Sequence, residues 1–261
     1  MKRQNKRSNF ERALTIGTWL VILLVWILAT RFENFSSTIL PSPQQVWSAF
    51  IRIVREGYNQ ISLWQHLGDS FKRLFGSIFL AMITAIPLGL LSGFFAKFRA
   101  IIDSIVQFYR PIPPLAYYAL LILWMGIEDG SKITLLFLAA FAPIYIACVA
   151  AVSSINRDYI LSAKSLGASQ KNIFLKIVLP AAMPDIFTGV RTASGFAYTT
   201  LVAAEMTAAT SGIGWMVIDA SRYLKSDVMF VGIILMGLTG IAMDGMFIYL
   251  ERKLIFWKGK E

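Results

Sequence analysis

The sequence predicts an all-α membrane protein with six transmembrane helices and a cytoplasmic helix-turn-helix loop between helices 4 and 5. Three observations predict it. The 261 residues are 56% hydrophobic and 15% charged, against about 25% charged in soluble domains. Mean hydropathy is +0.61. The apolar residues also fall into separate runs, and a run of about 20 crosses the hydrocarbon layer.

The first run is Ala13–Ala29, between Arg12 and Arg31. Basic residues precede it, as in a signal peptide, but "ILATRFENF" offers no small-residue cleavage site. A retained signal-anchor over 13–30 is the expectation, behind a cytoplasmic N-terminus at 1–12. Residues 31–73 read as an external loop. Within it "PQQVWSAFIRIVREG" predicts an interfacial amphipathic helix with Val46, Trp47, Phe50, Ile51 and Val54 on one side. The membrane core spans 74–250. Its runs are Leu74–Ala96, Ser104–Ile127, Ile133–Asn156, Phe187–Thr210 and Val228–Leu250. "GLLSG" at Gly89–Gly93 is a close-packing motif. Residues 251–261 form a short basic tail.

Lysine and arginine set the orientation. With the N-terminus inside, the basic pieces 1–12, 97–103, 157–186 and 251–261 all face the cytoplasm, and the C-terminus is inside too. The basic residues of 31–73 run against the rule locally. The net charge of +10 is spread over ends and connections, so nucleic acid is not an expected partner. One cysteine and one histidine leave no internal disulfide and no Cys/His metal cluster. Cys148 reads as a small packing residue, and His66 as part of an outside loop. No G-x4-G-K-[ST] loop is present, so ATP chemistry cannot come from this chain. "SGIGW" at Ser211–Trp215 reads as a tight turn after the fifth span. A single six-span bundle without an internal repeat calls for a second copy around a central path.

The longest inside connection, 157–186, contains "SAKSLGASQKNIFLKIVLP". Asp158–Leu166 suits a short helix, with Asp158 at its positive end. Gly167 supplies a left-handed stop. Ser169 caps a second helix through Val178, and Pro180 ends it. Ile173, Phe174 and Ile177 make an apolar stripe that can pack on the bundle. From periodicity alone, an amphipathic connection lying on the inner leaflet is the better reading.

Charged and broken positions inside the spans mark function. Arg110 sits roughly 13 Å into the third span at 1.5 Å per residue. Depth lets Asp244 pair with Arg191 or Arg110. It argues against Arg110 with Glu205, which differ by roughly 15 Å in height. Arg110 reads either as half of a structural pair or as part of an anion path. Pro111, Pro113 and Pro114 break the third span and mark either a gate or a packed kink. Ser194, Thr199, Thr200 and Glu205 make the fifth span polar, facing the path, where the first three can touch a passing anion.

The loop resembles the signature E-A-A-x3-G-x9-I-x-L-P of binding-protein-dependent ABC transporter permeases. Ser162, Ala163, Gly167, Ile177, Leu179 and Pro180 fall in register. Leu161 stands where the pattern has Glu, and Ser162 replaces its first Ala. "FYRPIPPLAYYALLILWMGI", "FAPIYIACVAAV", "LPAAMPDIFTGVR", "LVAAEMTAATSGIGWM" and "SDVMFVGIILMGLTG" resemble the nitrate/sulfonate/taurine subgroup. The tail "LERKLIFWKGKE" is most similar to taurine permeases.

This resemblance implies a non-catalytic permease of the bacterial inner membrane, importing taurine or another alkanesulfonate, or else nitrate, by alternating access. It implies ABC ATPase subunits that carry MgATP, an extracytoplasmic solute-binding protein and a second copy as partners, with no cofactor or metal on this chain. It implies that Tyr159, Leu161, Ser162, Ala163, Lys164, Ser165, Leu166, Gly167, Ala168 and Ser169 contact the ATPase. The rivals are a self-contained channel or secondary transporter, and a scaffold without transport.

Overall fold

The computed structural model describes residues 9–31, 36, 38–255 and 257. The ends 1–8 and 258–261, part of the expected N-terminal piece and tail, lie outside them. The described residues form helices and turns, with one isolated β-bridge between Tyr58 and Ile61. The helices are α1 (Asn9–Arg31), α2 (Pro43–Glu56), α3 (Leu63–Phe94), α4 (Ala96–Tyr109), α5 (Pro114–Met125), α6 (Asp129–Ser153), α7 (Arg157–Ser165), α8 (Gln170–Ile173), α9 (Leu179–Ala208), α10 (Ile213–Arg222) and α11 (Ser226–Leu254). A π-helical turn at Phe174–Val178 joins α8 to α9.

Among the described residues, five helical stretches are long and apolar enough to cross a membrane: Ala13–Arg31, Leu63–Phe94, Asp129–Ser153, Gln170–Ala208 and Ser226–Leu254. The expected third span differs. It is two helices, α4 and the 12-residue α5, because the prolines remove backbone donors and exclude regular turns between them. Two other boundaries move. α3 begins at Leu63, so Lys72 and Arg73 lie on a 32-residue helix rather than in a loop. His66 is on that helix too, and buried. Pro180 does not end the second loop helix. The helix continues through it, and Gln170–Ala208 forms one 39-residue stretch.

The π turn explains how. In an α-helix the proline ring meets the carbonyl four residues back. Here the Leu179 N–H donates to Phe174 O, five residues back. The wider turn gives the ring room.

The described residues group into two compact units, 1–63 with 216–234, and 64–215 with 235–261. In the first, α2 has a full capping box. Ser42 Oγ accepts from Gln45 N, and the Gln45 side chain accepts from Ser42 N. Val46, Ala49 and Ile53 are its buried residues, a stripe at i, i+3 and i+7. Trp47 and Val54 of the expected apolar side stay exposed, and Phe50 and Ile51 are half-buried. Asp219 accepts from the Tyr58 hydroxyl at 2.9 Å and from Asn59 Nδ2 at 2.7 Å. Burial and that carboxylate push the Tyr58 phenol up.

The second unit holds the larger core. α6 and α9 pack along each other, with Leu136, Ala140, Ile144 and Cys148 meeting Ala193, Ala197 and Leu201 among buried apolar side chains. α3 lies close against α6 through the GxxxG pair. A Cβ on Gly89 would sit 2.6 Å from Cys148 Cβ, and one on Gly93 2.6 Å from Val152 Cβ. Neither position admits a side chain without separating the helices.

Candidate functional site

The loop after α6 is built by local capping. Asn156 caps α7 by accepting from Asp158 N at 2.9 Å. Asp158 sits in the first turn rather than at the cap. At the other end Gly167 adopts φ +80. Its N–H donates to Lys164 O at 2.9 Å, and Ala168 N–H donates to Ala163 O at 3.0 Å. Those two bonds define a Schellman stop, with glycine at its left-handed position. Ser169 then caps α8 by accepting from Asn172 N at 3.3 Å.

The loop has two faces. Ile160, Ala163, Ala168, Phe174 and Leu179 pack against the core, where Ile173 and Val178 are buried. Tyr159, Leu161, Ser162, Lys164, Ser165, Gly167 and Ser169 are exposed, and Leu166 is 88% exposed. Ala163 and Ala168 therefore turn partly inward, away from the rest of the expected contact run. Ile177 is half-buried and Pro180 is exposed on the outer side of the helix.

The candidate path residues separate. Arg110, Pro111, Pro113, Pro114, Thr199 and Thr200 line one groove of about 460 Å³. Arg110 and Pro111 also border an adjoining cavity of about 700 Å³ with Arg99, Asp103 and Tyr145. Ser194 is not in this groove. It is buried, and its hydroxyl donates to Val190 O at 2.8 Å. Arg191 donates from Nε and Nη2 to the two Asp244 oxygens at 2.5 and 2.8 Å.

Glu205 is not in this groove either. It is 1% exposed and sits in a polar knot inside the second unit. Arg73 Nη1 donates to it at 2.8 Å, Ser70 Oγ at 2.8 Å and Gly214 N–H at 2.9 Å. The same arginine donates from Nε to Asp129 at 2.7 Å, and to the Ser211 carbonyl and hydroxyl at 2.8 and 3.1 Å. Ser211 donates to Asp69 at 2.6 Å, and Gly212 N–H to His66 Nδ1 at 3.1 Å. One guanidinium thus ties α3, the start of α6, the end of α9 and the turn at 209–212. The sequence reading missed Arg73, Ser70 and Asp129. Its available signal was spacing: His66, Ser70, Arg73 and Ser77 recur at i, i+4, i+7 and i+11, one face of a helix.

Comparison with known proteins gives this arrangement its setting. Residues 85–256 match the family described as binding-protein-dependent transport system inner membrane component. The chain is 40% identical over 248 residues to the taurine transport system permease protein TauC of Escherichia coli (strain K12), covering 95% of this chain and 90% of that one. It is 30% identical over 243 residues to the nitrate import permease protein NrtB of Leptolyngbya laminosa, covering 92% and 87%. Among solved structures, a chain of the MetNI methionine ABC transporter in an inward facing conformation superposes with a TM-score of 0.65 at 19% identity. That match covers 73% of this chain and 95% of the other, and speaks for the fold. With the family match spanning most of the chain and both relatives aligned nearly end to end, the chain belongs to the inner-membrane permease components of binding-protein-dependent ABC importers.

Proposed function

We propose that this chain is the non-catalytic membrane subunit of an importer for taurine or another alkanesulfonate. Two copies enclose the path, a separate ATPase carrying MgATP drives it from the cytoplasm, and an external binding protein selects the solute. Both termini and the 157–186 loop lie on the cytoplasmic side. The observation that carries the coupling role is the two-faced α7. A short helix with a fixed glycine stop packs one side on the core and leaves Tyr159, Leu161 and Leu166 bare. Apolar side chains on a rigid pedestal gain by burial in a partner's cleft. Closure of two ATPase subunits would then tilt α9 as a rigid body, which is alternating access. The sulfonate reading is supported by the 40% identity to TauC.

The test is reconstitution in liposomes with the ATPase and the binding protein. Taurine uptake should require both partners and ATP. Gly167→Val should leave ATP hydrolysis running and abolish uptake, because a β-branched residue at φ +80 disturbs the α7 stop. Normal uptake by Gly167→Val sinks the coupling role. Gradient-driven flux by this chain alone favours a self-contained transporter. ATP-driven uptake of nitrate but not of sulfonates moves the substrate to the nitrate branch.

A further inference from the structure

Arg110 differs from Arg73, Arg99 and Arg191 of the second unit, each of which is paired with a carboxylate. Arg73 is tied to Glu205 and Asp129, and Arg191 to Asp244. Arg99 donates to Asp103 at 3.1 Å, and Asp103 also accepts from the Tyr145 hydroxyl at 2.6 Å. Arg110 forms no ion pair with a carboxylate among the described residues. Yet it follows α4, in the break of the expected third span, where an uncompensated cation is costly. It also lies where two grooves adjoin, bordering both.

The second groove has mixed chemistry. Beside Arg110 it presents the hydroxyl-bearing Thr199, Thr200 and Tyr117, and the apolar walls of Phe196 and Pro143. Its volume of about 460 Å³ lies within the roughly 300–1,000 Å³ of small-molecule sites.

We infer that the Arg110 guanidinium is a transient binding point for the sulfonate group of the transported solute, with Phe196 and Tyr117 against its short carbon chain. This rests on the reading of the chain as a sulfonate permease. The counter-ion that Arg110 lacks among the described residues is then the solute itself. A planar fork of N–H donors fits two oxygens of a tetrahedral anion. One cation in an open groove, without a second charge closing over the ligand, holds an anion and releases it. Selection stays with the external receptor, while the arginine favours solutes that carry a sulfonate group, zwitterionic or anionic, over uncharged molecules at the break.

The experiment uses the full transporter in liposomes, with ethanesulfonate and taurine as probes. Uptake and binding-protein-stimulated ATP hydrolysis are read for the wild type, Arg110→Gln and Arg110→Lys. Arg110→Gln should lower uptake of both probes by about 10- to 100-fold, the worth of a charge-assisted contact, with hydrolysis retained. Arg110→Lys should keep an intermediate rate, since it retains charge and loses the fork. Wild-type uptake by Arg110→Gln overturns the inference and leaves the permease reading standing. If both variants fail to assemble with the ATPase, Arg110 is a packing residue and the inference is overturned. If the wild-type complex moves neither probe, the sulfonate reading falls and takes this inference with it.

Discussion

The continuous helix from Gln170 to Ala208, about 58 Å long at 1.5 Å per residue, is anchored differently at its two ends. At one end Glu205 is buried and held by Arg73, Ser70 and Gly214. At the other, the chain passes through a glycine stop, a four-residue helix and a π turn, with most polar side chains exposed. One end is fixed by charge in a dry setting. The other is shaped by backbone irregularity over a thin apolar footing. The difference teaches where this molecule resists movement and where it accommodates it. Removing a partner from a buried ion cluster strands a charge, whereas an irregular backbone turn can change its hydrogen-bond spacing at small cost.

The largest effect should come from breaking the knot. Arg73→Ala leaves Glu205 and Asp129 without their shared cation and should cost about 3–5 kcal/mol. Thermal unfolding in detergent measures it, and a midpoint unchanged from wild type would mean the knot is not what holds this end. Next, Pro180→Ala should let the π turn relax to α geometry and stabilise the fold by up to about 1 kcal/mol, one regained backbone bond. Transport should slow in the same variant, as uptake assays would show. A faster transporter would mean the turn is no flexure. Ser169→Ala removes the α8 cap and should cost about 1 kcal/mol. Hydrogen exchange at Gln170–Ile173 reports it, and protection equal to wild type would show that tertiary packing alone holds α8. The smallest effect belongs to Arg191→Gln. Its pair with Asp244 is 40% and 46% exposed, so about 0.2–1 kcal/mol is expected, and a loss as large as that of Arg73→Ala would erase the distinction between the two ends.

The sequence carried the helical class, the glycine stop and the break at Pro111–Pro114, because each depends on local chemistry: charge-free runs, a left-handed position, missing donors. It also brought Arg191 and Asp244 to similar depth. It did not carry the knot. A hydropathy window reads Lys72 and Arg73 as the edge of a loop. What compensates Arg73 comes from Asp129, Glu205 and Ser211, far along the chain. The burial of Glu205, expected to face the path, was hidden for the same reason, since polarity alone does not say which face is buried. The passage of the helix through Pro180 was hidden too. The rule that proline stops a helix holds for α geometry, and the π turn at Phe174–Val178 lies outside that rule.

That wide turn has a consequence for angular phase. An α-helix advances about 100° per residue, so one surplus residue swings everything before it by about a quarter turn relative to everything after. The compass bearing of Tyr159 and Leu166, measured against Arg191 and Glu205, is therefore set by whether five residues or four fill the stretch from Phe174 to Val178. A one-residue deletion there would preserve both flanking sequences, yet aim the bare side of α7 in a new direction.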